Sequence, residues 1–596
     1  MPREVAEKGK VDSKEMIRTT GWSRRIPLTP VACAALAGLV VTLWLPFGWK
    51  VTGLYEEWLF MSGGDMGNPV RMLYHPYASA SYRPLTLAPY ILGYILTPGS
   101  FLGFNILFAL WALGKGVAMY SLVRRLIPDN PALALVSGAL LVVYPADDAL
   151  LTLQTTNVHA GVFLFLIALN LLIVAWQRVR WSTLLAMVVA EGIALATYDG
   201  GILLSLCGPG LLLWLRPKID KRLITLAALW WGVSVSFLFH LILTLRDPGS
   251  YAAQLLAGSA MGKTDVVDIL RSWGRSMARA YMQTFGTGWY EALRGLDWQD
   301  PYLHLSAALT LFVLIPAIWL HARRAEETKT AMDTKRYVVL ACLGVIAVAA
   351  GFATYLPTEW RNSNYRVFLY SSIGAALAVG VACFLLARLF GQWQRLVFVG
   401  LTSALIGTAT VHALTQHRVY FEYSQRQQQI LADIISAAPG LKSETTVLLI
   451  DRTPTAAAKA WSMCTVVSNC LEWALRYIYN DHTLRAMYCA PGYRPRNQFS
   501  EECQFDSHGV TVPYVHWGLK KEMHPSSPYA SLVVLENSAR GLYLLKDISR
   551  YQLEAGANGY EPDRRIDASS PIPPRAHTLF TRWPFKWTEP RADHDS

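Results

Sequence analysis

The chain has 596 residues and a formal net charge of +12, with 53% hydrophobic residues and only 16% charged ones. A soluble protein of this length needs far more charge on its surface, so an ordinary soluble enzyme is excluded. Apolar runs of about 20 residues recur, and each is long enough to cross a hydrocarbon core as a helix.

In chain order the runs predict eleven spans, at roughly 28–47, 101–122, 132–149, 158–177, 182–198, 201–215, 223–244, 303–321, 337–356, 367–388 and 394–414. Basic residues test that count. Arg24 and Arg25 precede the first span, and alternate short loops carry Arg124 and Arg125, Arg178 and Arg180, Arg216 to Arg222, Arg323 to Arg336, and Arg388 with Arg395. With eleven spans all of these fall on one side, which the positive-inside rule makes the cytoplasm. The basic excess is therefore topological and calls for no nucleic-acid partner. No small-residue cleavage site follows the first run, so it reads as a retained anchor behind a cytoplasmic tail, 1–27. The expected location is the plasma (inner) membrane, crossed many times, with the C-terminal domain extracytoplasmic.

Within the expected transmembrane domain, 28–414, two outer loops are more than turns. The first, 48–100, holds "YEEWLF", "SYRPLT" and the half-apolar "LAPYILGYILTPG", which Pro and Gly interrupt and which is expected to lie along the interface. The second, 245–302, holds Trp273, Trp289 and Trp298 among mixed charges. Beyond the spans, 415–560 reads as a small α/β domain: "TTVLLID" and "ASLVVLE" have the pattern of buried strands, and 456–479 that of a helix. Pro and charged residues then dominate 561–596, expected to be extended or disordered. Cys464, Cys470, Cys489 and Cys503 lie in the outer domain, where two disulfides with three possible connectivities are expected.

Polar residues gather at the outer mouths of the spans. Glu56 and Glu57 follow the first span, with Tyr82 and Arg83 later in the same loop. Asp147 and Asp148 follow the third, and His159 opens the fourth. Asp199 sits in the "TYDGG" hairpin, and Glu359, Arg361 and Arg366 in "PTEWRNSNYRVF". Blander roles suit several of them: Asp199 as a turn former, Glu359 and Arg361 as a surface pair, Asp147, Asp148 and His159 as loop caps. Together they suit one reaction. A carboxylate takes the proton of an acceptor hydroxyl as its oxygen attacks a sugar carbon, and arginine matches a departing lipid phosphate in geometry and charge. Two charges, Lys115 and Glu191, fall at similar depth inside spans and are expected to pair.

The order of a first span, a paired acid, "YRPLT", a basic loop, "YPADDALLTLQTTNVHAGVF" and "TYDGG" resembles the GT-C class of membrane glycosyltransferases. "YRPLT" is similar in particular to the animal transmembrane O-mannosyltransferases that carry tetratricopeptide repeats, and to their bacterial relatives. The likeness covers roughly 28–215. It implies an α-helical polytopic fold and a polyprenyl-phosphate sugar as donor. Glu56 would be the base, with Glu57 its catalytic neighbour. Arg83 would contact phosphate, with Arg361 and Arg366 as further phosphate-binding candidates. Tyr82, Asp147, Asp148, His159, Asp199 and Glu359 are left as substrate-binding candidates. This chain departs in having Glu for the more usual Asp at the pair, and Tyr198-Asp199 for the Lys-Glu hairpin of the repeat-bearing relatives. No cofactor is expected and no metal site is assigned, although the acidic cluster is compatible with a divalent cation. The acceptor is open among protein, lipid and glycan. A transporter or lipid flippase, or an inactive binding scaffold of the same class, is the competing reading.

Overall fold

A computed structural model describes residues 27–64, 72, 83–215, 219–246, 266–327, 333–453, 463–466, 468–491, 503–512, 514–516, 521–523, 525–551 and 559–580. The first apolar run forms α1 (Leu28–Trp44), and the first outer loop contributes α2 (Glu56–Gly64) and α3 (Ala88–Leu96). In α3, Tyr90, Gly93 and Tyr94 are buried while Leu92, Ile95 and Leu96 face outward, half exposed. That one-sided pattern leaves an apolar face uncovered by the rest of the described residues, as a helix lying along the interface would have.

The bundle continues through α4 (Leu102–Leu126), α5 (Pro131–Val143), α6 (Thr156–Gln177), α7 (Trp181–Thr197), α8 (Ile202–Leu206), α9 (Gly210–Leu215) and α10 (Lys221–Leu245). After it come α11 (Val266–Met282), α12 (Gly288–Arg294), α13 (Pro301–Leu309), α14 (Ile315–Glu327), α15 (Thr334–Ala353), α16 (Ser371–Arg388) and α17 (Gln394–Ala437). Among the described residues seven helical segments are long and apolar enough to cross a membrane, or eight if the bent pair Trp181–Thr197 and Asp199–Leu206 counts as one. The chain is an α-helical polytopic membrane protein, but the expected eleven full spans are not all present. Pro145 ends the third run early, leaving α5 at 13 residues, because a residue before proline is pushed out of helical geometry. Gly208 and Pro209 split the sixth run into α8 and α9.

Side-chain caps start several helices. Asn130 accepts from Leu133 N–H at the head of α5, Asp220 from Leu223 N–H at α10, and Asp300 from Tyr302 N–H at α13, each satisfying an amide that the first turn leaves without a partner. Small residues let α15 and α16 close up: a Cβ on Gly374 would meet the Gly344 carbonyl at 2.3 Å, the close backbone approach by which membrane helices associate. The basic ends of the helices meet at one pole of the bundle. Arg222 stacks over Trp176, Arg336 over Trp214 and Arg395 over Trp319, while Trp214 donates to Leu126 O.

The helix α17, 44 residues long, measures about 66 Å at ~1.5 Å per residue, so the domain boundary expected at 414/415 is no break. Its second half enters the C-terminal domain. There β1 (Thr446–Asp451) lies between β2 (Arg485–Cys489) and β8 (Leu532–Ser538), parallel to both, and β9 (Gly541–Leu544) adds antiparallel to β8. A small antiparallel sheet of β3 (Gln504–Phe505), β4 (Gly509–Thr511) and β7 (Ser526–Pro528), and the pair β5 (Tyr514–His516) and β6 (Lys521–Met523), complete the described strands. Strand alternation sorts the core. Leu448, Ile450 and Val534 pack toward Val510 of the small sheet. Val447, Leu449 and Val533 share the cluster of α18 (Ser468–Tyr479) and the end of α17. The disulfides are Cys464–Cys470 and Cys489–Cys503, one of the three connectivities left open.

The end expected to be extended from 561 onward instead packs on the domain over 559–580. Asp567 N–H donates to Gly440 O, Arg575 donates to Tyr477 O, and Ala576 of α19 (Pro574–Phe580) is buried. Apolar Ile566, Ile572 and Leu579 outweigh the charged residues between them. Residues 581–596, like the N-terminal tail 1–26, lie outside the described residues.

Candidate functional site

Opposite the basic pole, six sequence-distant segments pack into one polar cluster. Leu54, two residues ahead of the acidic pair, packs with Ala149, Tyr365, Tyr420 and Tyr423. The pair itself opens α2. Glu57 is fully buried, and its Oε2 accepts from the backbone N–H groups of Leu54 and Tyr55 at 3.1 and 3.0 Å. It folds back to close its own turn, which is the work of a loop cap rather than of a base in contact with substrate. Glu56 is placed at the first turn of α2, and its side chain lies outside the described residues.

The arginine of "YRPLT" and the aspartate of "TYDGG" meet. Arg83 Nε and Asp199 Oδ1 are 2.6 Å apart, and the guanidinium lies 4.2 Å from the centre of the Tyr198 ring. Backbone contacts fix this register: Leu85 N–H donates to Ala196 O, and Asn157 donates its amide to Thr86 Oγ1 at 2.8 Å. Asp199 is therefore more than a turn former; it holds the arginine over an aromatic face. Tyr355 lies against the same corner, its hydroxyl 3.4 Å from both Tyr198 Oη and Arg366 O. Burial, reinforced by Tyr198 and Asp199, raises its phenol well above the ordinary range, so it stays a neutral donor.

The next corner belongs to Asp147 and Arg366. Asp147 Oδ1 accepts from Ala149 N–H at 2.9 Å and Arg366 N–H at 3.0 Å, and Oδ2 from Phe368 N–H at 2.9 Å. Burial pushes its carboxyl up to about 6, against the pull of these three amides. Arg366 Nη2 donates to Gln154 Oε1 at 3.0 Å, and Tyr365 donates its hydroxyl to the same oxygen. Asp148 is exposed and offers its carbonyl to Tyr420 at 2.7 Å. Arg361 donates to Leu356 O at 3.3 Å. Glu359 begins the same short turn, with its side chain outside the described residues, as is all of Tyr82.

Two expectations fail here. Lys115 and Glu191 do not pair: both Ser205 and Ser234 lie within hydrogen-bond reach of Glu191 Oε1, at 2.7 and 2.6 Å, and Lys115 lies in the electrostatic reach of Asp147 and His159 instead. Equal depth in a bundle does not fix which way a helix face turns. His159 is not at the mouth. It is buried against Phe108 with Nε2 on Leu150 O at 3.0 Å, inside the bundle rather than open to a ligand.

Sequence reasoning missed the neutral members, Gln154, Tyr355, Tyr365 and Gln427, since charge drew the eye. Gln154 had a signal in "LQTTN", a polar run where an apolar helix begins. The last of them joins the C-terminal domain to the loop ahead of the acidic pair: Gln427 Nε2 donates to Gly53 O and Oε1 accepts from Cys464 N–H, both at 2.6 Å. The domain's α18 then packs on α2, with Trp473 against Tyr55 and Tyr477 against Trp58.

A shallow, open and largely apolar groove of about 540 Å³ lies on the surface between α7 and α10, lined by Pro84, Gly192, Leu229, Val233 and Phe237 with Ser236 and His240. Among the described residues no three His, Cys, Asp or Glu side chains cluster as metal ligands would.

No protein-family model matches the chain, and no curated protein matches it. Among solved structures it is similar to ArnT from Cupriavidus metallidurans bound to undecaprenyl phosphate, at 13% identity and a TM-score of 0.30 over 77% of this chain and 86% of that one. At that level the likeness assigns neither substrate nor site.

Proposed function

We propose that the protein is a GT-C-type glycosyltransferase that takes a sugar from a polyprenyl-phosphate carrier and passes it to an acceptor on the extracytoplasmic face. The observation that carries this reading is the convergence of the acidic-pair loop, Arg83 and Arg366 in one cluster, linked through Leu54, Tyr365 and Tyr355. A shallow, largely apolar surface groove begins at Pro84, next to Arg83 in sequence. This is the layout a donor with a long apolar tail and an anionic head requires: chain in the groove, phosphate among the arginines, sugar toward α2.

Glu56 is the base in this reading. Its carboxylate takes the acceptor's hydroxyl proton as that oxygen forms the bond to the anomeric carbon, and the bond from that carbon to the carrier's phosphate oxygen breaks with inversion. The phosphate leaves with the electron pair, and the guanidinium groups stabilise its charge. Glu57 shapes the turn that presents Glu56. In this reading the basic pole faces the cytoplasm, and the C-terminal domain stands outside, packed on α2.

The test is donor turnover by the purified protein in lipid, with a panel of polyprenyl-phosphate sugars, an envelope extract as acceptor, and mass-spectrometric detection of free polyprenyl phosphate. Wild type releases it, and Glu56→Gln and Arg83→Ala do not. Release by the variants at the wild-type rate refutes the site, and no release by wild type refutes the reaction.

A further inference from the structure

Arg366 has a backbone φ of +67°. A side-chain-bearing residue in this left-handed region is strained, because its Cβ crowds the following carbonyl, and the surroundings must hold it there. The other described non-glycine residues with positive φ, Glu444 and Asn480, are exposed positions in the C-terminal domain. Arg366 alone among them is half-buried and lies within the polar cluster.

Three hydrogen bonds from two side chains hold it. Asp147 accepts the N–H of Arg366 on one oxygen and that of Phe368 on the other, gripping the chain on both sides of Val367. The Tyr355 hydroxyl reaches the carbonyl of Arg366 from α15's end. The carboxylate is itself locked by Ala149 N–H and is only 1% exposed, so it has no room to bind substrate. With the backbone so fixed, the guanidinium sits 5.3 Å over the Tyr365 ring and donates to Gln154 Oε1.

We propose that Asp147 is a positioning residue, a buried clamp that keeps Arg366 in its left-handed conformation so that the guanidinium serves the lipid-linked phosphate of the donor. This rests on the glycosyltransferase reading for the ligand; the clamp itself rests on geometry alone. A loop that only had to turn here would do so at lower cost with glycine, and a carboxylate that only joined two loops would not need an arginine at the strained position.

The experiment pairs Asp147→Asn with Arg366→Gly, singly and together, in nanodiscs of phosphatidylcholine containing undecaprenyl phosphate. Glycine accepts the backbone geometry and removes only the guanidinium. Loss of one charge-assisted contact is expected to weaken undecaprenyl phosphate binding about tenfold in Arg366→Gly. Asp147→Asn is expected to weaken it severalfold in the wild-type background and not at all in the Arg366→Gly background. Equal weakening in both backgrounds overturns the proposal, since Asp147 would then act by general stability. Amide hydrogen exchange over 361–370 reads the clamp without ligand: it accelerates in Asp147→Asn, and an unchanged rate overturns the clamp. If Asp147→Asn fails to fold, Tyr355→Phe removes the third anchor, and its effect on binding must likewise vanish with Arg366→Gly. Failure of the wild type to bind undecaprenyl phosphate overturns the functional reading and the phosphate role together, and hydrogen exchange then decides the clamp.

Discussion

Gln427, far along the rod of α17, donates its side-chain amide to the carbonyl of Gly53 at 2.6 Å, and so ties the turn that leads into the acidic pair to the helix that enters the outer domain. The same side chain accepts from Cys464. One fully buried amide thus sets three segments relative to one another. Gln427→Leu leaves the buried Cys464 N–H unsatisfied, at about 1–3 kcal/mol, while the Gly53 carbonyl keeps the indole N–H of Trp58 and loses one of its two donors. A lower thermal midpoint together with at least a tenfold loss of turnover is expected. A variant that melts earlier yet turns over donor normally would show that the outer domain does not position α2.

Arg83 and Asp199 are an ion pair with side chains 17% and 14% exposed. Partly buried pairs lose on the order of 1–3 kcal/mol when one partner is removed, because the other charge is left uncompensated. Asp199→Asn is expected to raise KM for the donor more than it lowers kcat, since it frees the guanidinium from its place over Tyr198. Arg83→Lys is expected to be as poor as Arg83→Ala, because an ammonium cannot stack and pair at once. Steady-state kinetics on the three variants checks both expectations.

Asp147 makes stability and activity respond to pH in opposite senses. Its carboxyl is raised from 3.8 to about 6 by burial first, with Asp148 adding and the amides of Phe368, Ala149 and Arg366 opposing. A group whose folded pKa is raised contributes its stabilisation below the unfolded value and loses it as pH climbs through about 6. Acidification from pH 7 to 5 therefore does not destabilise the fold through Asp147. It does replace a carboxylate oxygen by a hydroxyl where Arg366 or Phe368 needs an acceptor, with Lys115, Asp148 and Arg366 the charged groups nearby. Turnover is expected to fall below about pH 6 while the thermal midpoint holds, and Asp147→Asn is expected to flatten that limb of the pH profile.

The bridge Cys464–Cys470 closes a loop of sequence separation 6, directly behind the amide that Gln427 receives. Chain entropy gives such a short loop about 2 kcal/mol. Cys464→Ser with Cys470→Ser is expected to cost that much in domain stability and to slow turnover through α18 and α2. Cys489→Ser with Cys503→Ser, on the far face of the sheet, is expected to cost stability without slowing turnover. Peptide mapping without reduction must first show the 464–470 and 489–503 links.

The helices were legible because the bilayer leaves a chain few options, and runs of apolar residues answer to it directly. Their ends were less so. Hydropathy falls after 414, yet α17 continues, because Ser424, Gln427 and Gln428 exchange hydrogen bonds with the first loop and the outer domain instead of with water. Of the site, the candidate residues were found one by one, but not their company. Arg83 and Asp199 stand 116 positions apart, and nothing in either motif states that they touch. The sequence left Asp147 between a loop cap and a substrate ligand; three backbone amides, whose direction no sequence states, make it a fastening.

The shortness of α5 bears on where chemistry would take place. Thirteen residues rise only about 20 Å, against ~30 Å of hydrocarbon. The turn of Asp147 and Gln154 therefore begins about 10 Å earlier along the bundle than a full span would allow. On the glycosyltransferase reading, a donor whose phosphate met Arg366 there would carry its sugar below the outer ends of the longer helices, and an acceptor would have to reach in after it.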